Sequence, residues 1–213
     1  MNIFFDLDGT LIDARMRLYN LFCDLTCQTL LDFNNYWELK RSMHDQKWIL
    51  TNILKYTDLQ ISEFRKKWMY NIEKEEYLKF DSLFPYTIST LEQLKQKGFS
   101  LFLITARQNK PATMKQLVKM GLIDYFIACC IASPPQTKTE KILLKGIKLS
   151  NNDFLVGDTL EDIQTAKNLN LKSIAVWSGF YNMASLMGSD PDFTAADISK
   201  IQEYLTAVNH PLK

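Results

Sequence analysis

Short, wholly apolar runs that alternate with amphipathic stretches leave this chain few architectures to choose from. Ile3-Phe4-Phe5 reads as a buried strand, as do residues 100–104, 126–131, 153–156 and 173–176. Between them, residues 87–97, 111–120, 139–148 and 160–169 carry helical periodicity. Pro111 suits the first turn of its helix, and Gly98 and Gly121 stand where helices stop. Strands that are apolar on both faces and separated by helices predict an α/β fold: a doubly wound, Rossmann-like parallel sheet covered by helices on both sides.

One interval breaks the rhythm. The first strand ends at Asp6 and the next begins at Ser100, although a strand–helix–strand unit needs only roughly 30 residues. Residues 14–83 look helical throughout. Leu18, Leu21, Phe22 and Leu25 share one helical face, and Phe64, Trp68 and Ile72 make a second stripe opposite Arg65, Lys66 and Lys67. The aromatic residues concentrated here serve as the core of a small bundle, which can also lie as a lid over a site at the sheet edge. Residues 178–192 read as a surface loop and 198–208 as a final helix.

A net charge of +1 gives no global field to favour nucleic acid or an anionic membrane. No apolar run approaches the ~20 residues of a membrane span, and the short apolar start lacks the basic flank of a signal peptide. Cys23, Cys27, Cys129 and Cys130 read as buried thiols in a reducing compartment, so the cytoplasm is expected. With only His44 and His210 beside them, zinc-ligand spacing is absent.

Four elements that bear reactive groups fall at predicted strand ends, where open parallel sheets place their ligands. Asp6-Leu7-Asp8-Gly9-Thr10 sets two carboxylates on one side of a strand extension. One carboxylate can attack phosphorus while the other serves as acid and base. Thr105 and the backbone at Ala106 can hold phosphate oxygens at a strand-to-helix turn. Lys138 or Lys141 can neutralise the attacking carboxylate together with a phosphate oxygen, and Lys138 precedes the apolar pair Ile142-Leu143 by one turn. Asp158, at a strand tip, and Asp162, one turn on, offer the hard oxygens that suit Mg²⁺.

In combination these residues resemble the haloacid dehalogenase superfamily. The run from Phe5 to Asp13 is similar to its first motif, Leu103-Ile104-Thr105-Ala106 to its second, and Val156-Gly157-Asp158-Thr159 through Ile163 to its fourth, with Lys138 or Lys141 where the third belongs. The layout is similar to the phosphoglycolate phosphatase and beta-phosphoglucomutase branch. It departs at the third motif, where Pro134-Pro135 precede the lysine. The resemblance implies a core of residues 1–14 and 84–213 with a helical cap, 15–83, inserted after the first motif. It further implies that Asp6 is the nucleophile and Asp8 the acid/base, that Thr105 and the lysine hold the transferring group, and that Mg²⁺ is bound by Asp6, the Asp8 carbonyl, Asp158 and Asp162.

The expected activity is hydrolysis of a small phosphorylated metabolite by a monomer or weak homodimer. A dehalogenase would not need the second acid, Asp8. A phosphomutase and a non-catalytic binding protein are the other readings, and a receiver-type signalling domain fits neither the motif order nor the insert. Arg15, beside the hinge, and Arg41 and His44, in a polar break between helical stripes, are the candidate substrate-selecting residues.

Overall fold

The structure, a computed structural model, describes residues 1–42 and 44–209, with side chains to residue 205; His210 lies outside the described residues. Six strands form one parallel sheet: β1 (Asn2–Phe5), β4 (Ser100–Ala106), β5 (Ala128–Ala132), β6 (Phe154–Gly157), β7 (Lys172–Val176) and β8 (Phe193–Ala195), in the spatial order β5-β4-β1-β6-β7-β8. The chain steps outward from β1 through β4 to β5, then crosses back to β6 on the other side. The reversal leaves β1 at the centre, with its carboxyl end at the crevice where such sheets bind ligands.

Alternate side chains of β1 build two separate cores. Ile3 and Phe5 pack on one face with Leu91 and Leu94 of α6 (Thr87–Gln96) and Leu117 of α7 (Lys110–Lys119). Phe4 packs on the other with Phe102, Ile142 of α8 (Lys138–Leu144) and Ala166 of α9 (Leu160–Asn168). This is the period-two division that a strand buried on both faces requires.

Among the described residues, the expected helical interval holds five helices, α1 (Arg15–Thr26), α2 (Phe33–Arg41), α3 (Gln46–Asn52), α4 (Asp58–Asn71) and α5 (Glu75–Leu78). Phe22, Tyr36, Trp37, Ile49 and Phe64 form its own core. The chain enters and leaves through two short antiparallel strands, β2 (Ile12–Asp13) and β3 (Ser82–Leu83), which the sequence pattern did not disclose. Two residues per strand are too few to show a period.

Three expectations need correction. The helix expected to run to residue 148 ends at Leu144, because Gly146 takes a positive φ of 63° that no helix continues. The cysteines are all free thiols, but Cys27 is exposed and only Cys130 is fully buried. Cys27 closes α1 in the left-handed conformation, φ 50°, which ends the helix's buried stripe before it. The segment 178–192 is not a simple surface loop. It contains α10 (Met183–Met187), and its first residues pack over the end of β1.

Candidate active site

Asp6 follows directly on β1 and stays pinned to the sheet, its N–H donating to the Val156 carbonyl at 2.9 Å. Its side chain is buried, and Lys138 Nζ lies 2.6 Å from its Oδ1. Thr137 caps α8, accepting from the Glu140 N–H while the Glu140 side chain returns to the Thr137 N–H. This capping box fixes the first turn of the helix, and Lys138 stands at its first position. The same ammonium donates to Asp162 Oδ1 at 2.5 Å. The other oxygen of Asp162 accepts from the Thr159 hydroxyl at 2.6 Å, within the capping box that opens α9. Asp158 Oδ1 accepts from Thr10 Oγ1 at 3.1 Å, and its Oδ2 accepts from the Phe180 N–H at 2.7 Å.

Asp6, Asp158 and Asp162 each bring one oxygen to within 4.8 Å of the others. Burial, with the charges of Asp162 and Asp8 adding to it against the pull of Lys138, raises Asp6 from 3.8 to about 7. Burial and then the Asp6 and Asp162 carboxylates push Asp158 well above its usual range. Lys138 is itself held above its ordinary value, since Asp162 and Asp6 outweigh the opposing effect of burial. Three carboxylates against one ammonium leave an excess of negative charge that a divalent cation would relieve. The backbone leaves room for that cluster. A Cβ on Gly9, whose φ is +89°, would fall 2.3 Å from Asp158 Oδ2, and one on Gly179 would fall 2.1 Å from the same atom. Hard oxygens, mutual proximity and the raised proton affinities of Asp6 and Asp158 fit a site for Mg²⁺.

Asp8 belongs to a different set of partners. Its Oδ1 accepts from Arg17 Nη2 and from Arg107 Nη2, both at 2.6 Å, and its Oδ2 accepts from Arg107 Nε at 2.7 Å. Burial would raise this carboxyl, but the Arg107 and Arg17 guanidiniums prevail and hold it at about 2. Neither arginine figured among the sequence candidates. Arg17 carried a signal, since it lies four residues before Leu21 on the apolar stripe of α1. A charge on a buried stripe must find a partner.

Thr105 is buried near the end of β4, level with Ile131 of β5. Ala106 beside it is exposed. Lys141, the alternative to Lys138, is half-buried and makes no ion pair among the described residues. Arg15 is held by Asp13, with Nε at 2.8 Å and Nη2 at 2.5 Å. Arg41 Nη2 donates to the Trp177 carbonyl at 3.0 Å, tying α2 to the end of β7. His44 stacks on Trp48 and lines a cavity of about 310 Å³ that opens between the helical insert and the core, beside Thr159 and Phe180. Lys40, which the sequence reading passed over, lines the same cavity. The acid cluster therefore draws on Thr10 and the 178–180 segment as well as on the residues expected from the motifs.

The model of the family described as haloacid dehalogenase-like hydrolase matches residues 3–176. The phosphoglycolate phosphatase of Vibrio vulnificus (strain CMCP6) is 30% identical over 131 residues, 58% of this chain and 56% of that protein. The chain thus spans about half the length of that relative. The pyrophosphatase PpaX of Oceanobacillus iheyensis is 27% identical over 211 residues, 93% of this chain and 94% of that protein. Among solved structures, a haloacid dehalogenase-like family hydrolase from Streptococcus pneumoniae superposes with a TM-score of 0.77 at 23% identity, covering 95% of this chain and 97% of that one, and so shares the fold. With the family model matched across every strand from β1 to β7, this chain belongs to the haloacid dehalogenase-like hydrolases.

Proposed function

We propose that the protein is a Mg²⁺-dependent phosphatase that hydrolyses a small phosphomonoester through an aspartyl-phosphate on Asp6. The observation that carries this reading is the convergence of Lys138 and the Asp6–Asp158–Asp162 cluster at the carboxyl end of the central strand. A carboxylate oxygen of Asp6 attacks phosphorus, and the bond to the leaving oxygen breaks as Asp8, which the two guanidiniums keep ionised in the free protein, passes to it the proton of a monoanionic ester. Asp8 then takes a proton from the water that attacks the aspartyl-phosphate, which releases phosphate and restores Asp6. Lys138 and the Thr105 hydroxyl, with the N–H at Ala106, hold the transferring oxygens. Asp6, the Asp8 carbonyl, Asp158 and Asp162 would hold Mg²⁺, which when bound neutralises the crowded carboxylates and the phosphoryl oxygens. The presence of Asp8 favours this reading over a dehalogenase.

The helical insert, residues 15–83, acts as a cap that selects the substrate. The motif residues bind only phosphate and metal, so discrimination must come from outside them. That His44 and Lys40 of the insert line the cavity beside Thr159 and Phe180 supports a role for them in reading the leaving group. Its volume of about 310 Å³ suits a small metabolite rather than a macromolecule. Four free thiols accord with a cytoplasmic setting.

A panel of phosphorylated metabolites, including 2-phosphoglycolate and pyrophosphate, tests the reading by phosphate release with Mg²⁺ and with chelator. Release that needs Mg²⁺ is the expected result. Full activity in chelator would overturn the metal assignment, and no release from any ester would overturn the activity.

A further inference from the structure

Asp6 and Asp8 are two residues apart, yet the polar groups that hold them are separate. Asp6 belongs to the Lys138–Asp162–Thr159 set. Asp8 belongs to a closed ring that runs away from the acid cluster. Arg17 Nε faces Asp81 Oδ1 at 3.2 Å, and Arg107 Nη2 lies 3.6 Å from Asp81 Oδ2. Gln116 donates to Asp81 Oδ2 at 2.7 Å and accepts from Arg107 Nη1 at 3.1 Å. Arg17, Arg107, Asp81 and Gln116 are all buried. The two guanidiniums and two carboxylates balance in charge.

The ring's members come from both parts of the chain. Arg17 sits in the first turn of α1, just after the insert begins, and Asp81 stands immediately before β3, where it ends. Arg107 follows β4, and Gln116 lies on α7, both in the sheet domain. A buried ionic ring is a poor way to gain stability, because apolar side chains of the same volume often do as well or better. What it does supply is a fixed carboxylate. A group that must pass a proton at a reacting bond has to be held to a fraction of an ångström.

We infer that, given Asp8 as the acid/base group proposed above, Arg17 and Arg107 are positioning residues that aim its carboxylate at the leaving oxygen, with Asp81 at the end of the insert and Gln116 on α7 bracing them. Neither arginine touches the phosphoryl group in this role. Their effect is confined to the proton transfer, and its size depends on how much the leaving oxygen needs that proton.

The test compares Arg17→Met/Asp81→Leu, which removes one positive and one negative charge together, with Asp8→Asn and the unaltered protein. Each is loaded with Mg²⁺, and kcat/KM is measured for p-nitrophenyl phosphate and for the alkyl phosphomonoester turned over fastest in the panel. A p-nitrophenolate leaves with little help from an acid, whereas an alkoxide needs the proton. The double variant is expected to lose about tenfold or more in kcat/KM on the alkyl ester beyond any loss on p-nitrophenyl phosphate. A fold or metal-site defect would lower both equally. Equal losses in the double variant, with Asp8→Asn still showing the asymmetry, would overturn the positioning role and leave the acid assignment standing. No asymmetry in Asp8→Asn would overturn the acid assignment, and the positioning role with it.

Discussion

At the scale of single residues, the site separates groups that look alike in sequence. Asp6 and Asp8 flank one leucine, but burial and neighbouring carboxylates raise the first to about 7 while two guanidiniums hold the second at about 2. Their replacements should therefore differ in kind. Asp6→Asn is expected to abolish turnover, since an amide is a poor nucleophile, whereas Asp8→Asn should leave a residual rate ~10²–10⁴-fold lower. Steady-state phosphate release checks both, and near-normal turnover by Asp6→Asn would remove it as nucleophile. The two lysines are likewise separable. Lys138 bridges Asp6 and Asp162, while Lys141 makes no ion pair among the described residues. Lys138→Ala should lose most of kcat and Lys141→Ala little of it, and the reverse order would exchange their roles.

Elements carry the same local physics to different ends. Helices α4 and α9 both open with a capping box, Thr57 with Gln60 and Thr159 with Asp162. Loss of either threonine hydroxyl should cost about 1 kcal/mol of stability, readable in urea denaturation. Only Thr159→Ala should also slow catalysis, because its hydroxyl fixes Asp162, which in turn receives Lys138. Equal activities in the Thr57→Ala and Thr159→Ala proteins would show that the α9 box is a cap and nothing more. The box at α8 works in the same manner, since it sets the direction from which Lys138 reaches Asp6.

Across the whole molecule, the buried acid cluster links stability to pH and metal. Asp6 is raised from 3.8 to about 7, so without a cation it favours the folded state most below its unfolded value, and that contribution is lost as pH rises through about 7. Asp8 has the opposite sign. Its contribution is complete above 3.8, fades only towards about 2, and is constant between pH 5 and 8. In chelator the thermal midpoint should therefore fall between pH 5 and pH 8. Mg²⁺ should raise it more at pH 8, where Asp6 is ionised, than at pH 5. Differential scanning fluorimetry measures this without any turnover, and an equal or larger Mg²⁺ effect at pH 5 would contradict the metal site. The sequence by itself determined the alternation of sheet and helix, the helical insert and the strand-tip positions of Asp6, Thr105 and Asp158, because strand and helix periods and chain spacing are local properties. Only the tertiary structure decided that Lys138 rather than Lys141 meets Asp6, that Arg15 and Arg41 bind Asp13 and the Trp177 carbonyl, and that Gly179 and Phe180 close over Asp158. The ring of Arg17, Asp81, Arg107 and Gln116 around Asp8 was decided there too. These pairings join residues far apart in the chain, and no periodicity records which buried charges a fold will bring face to face.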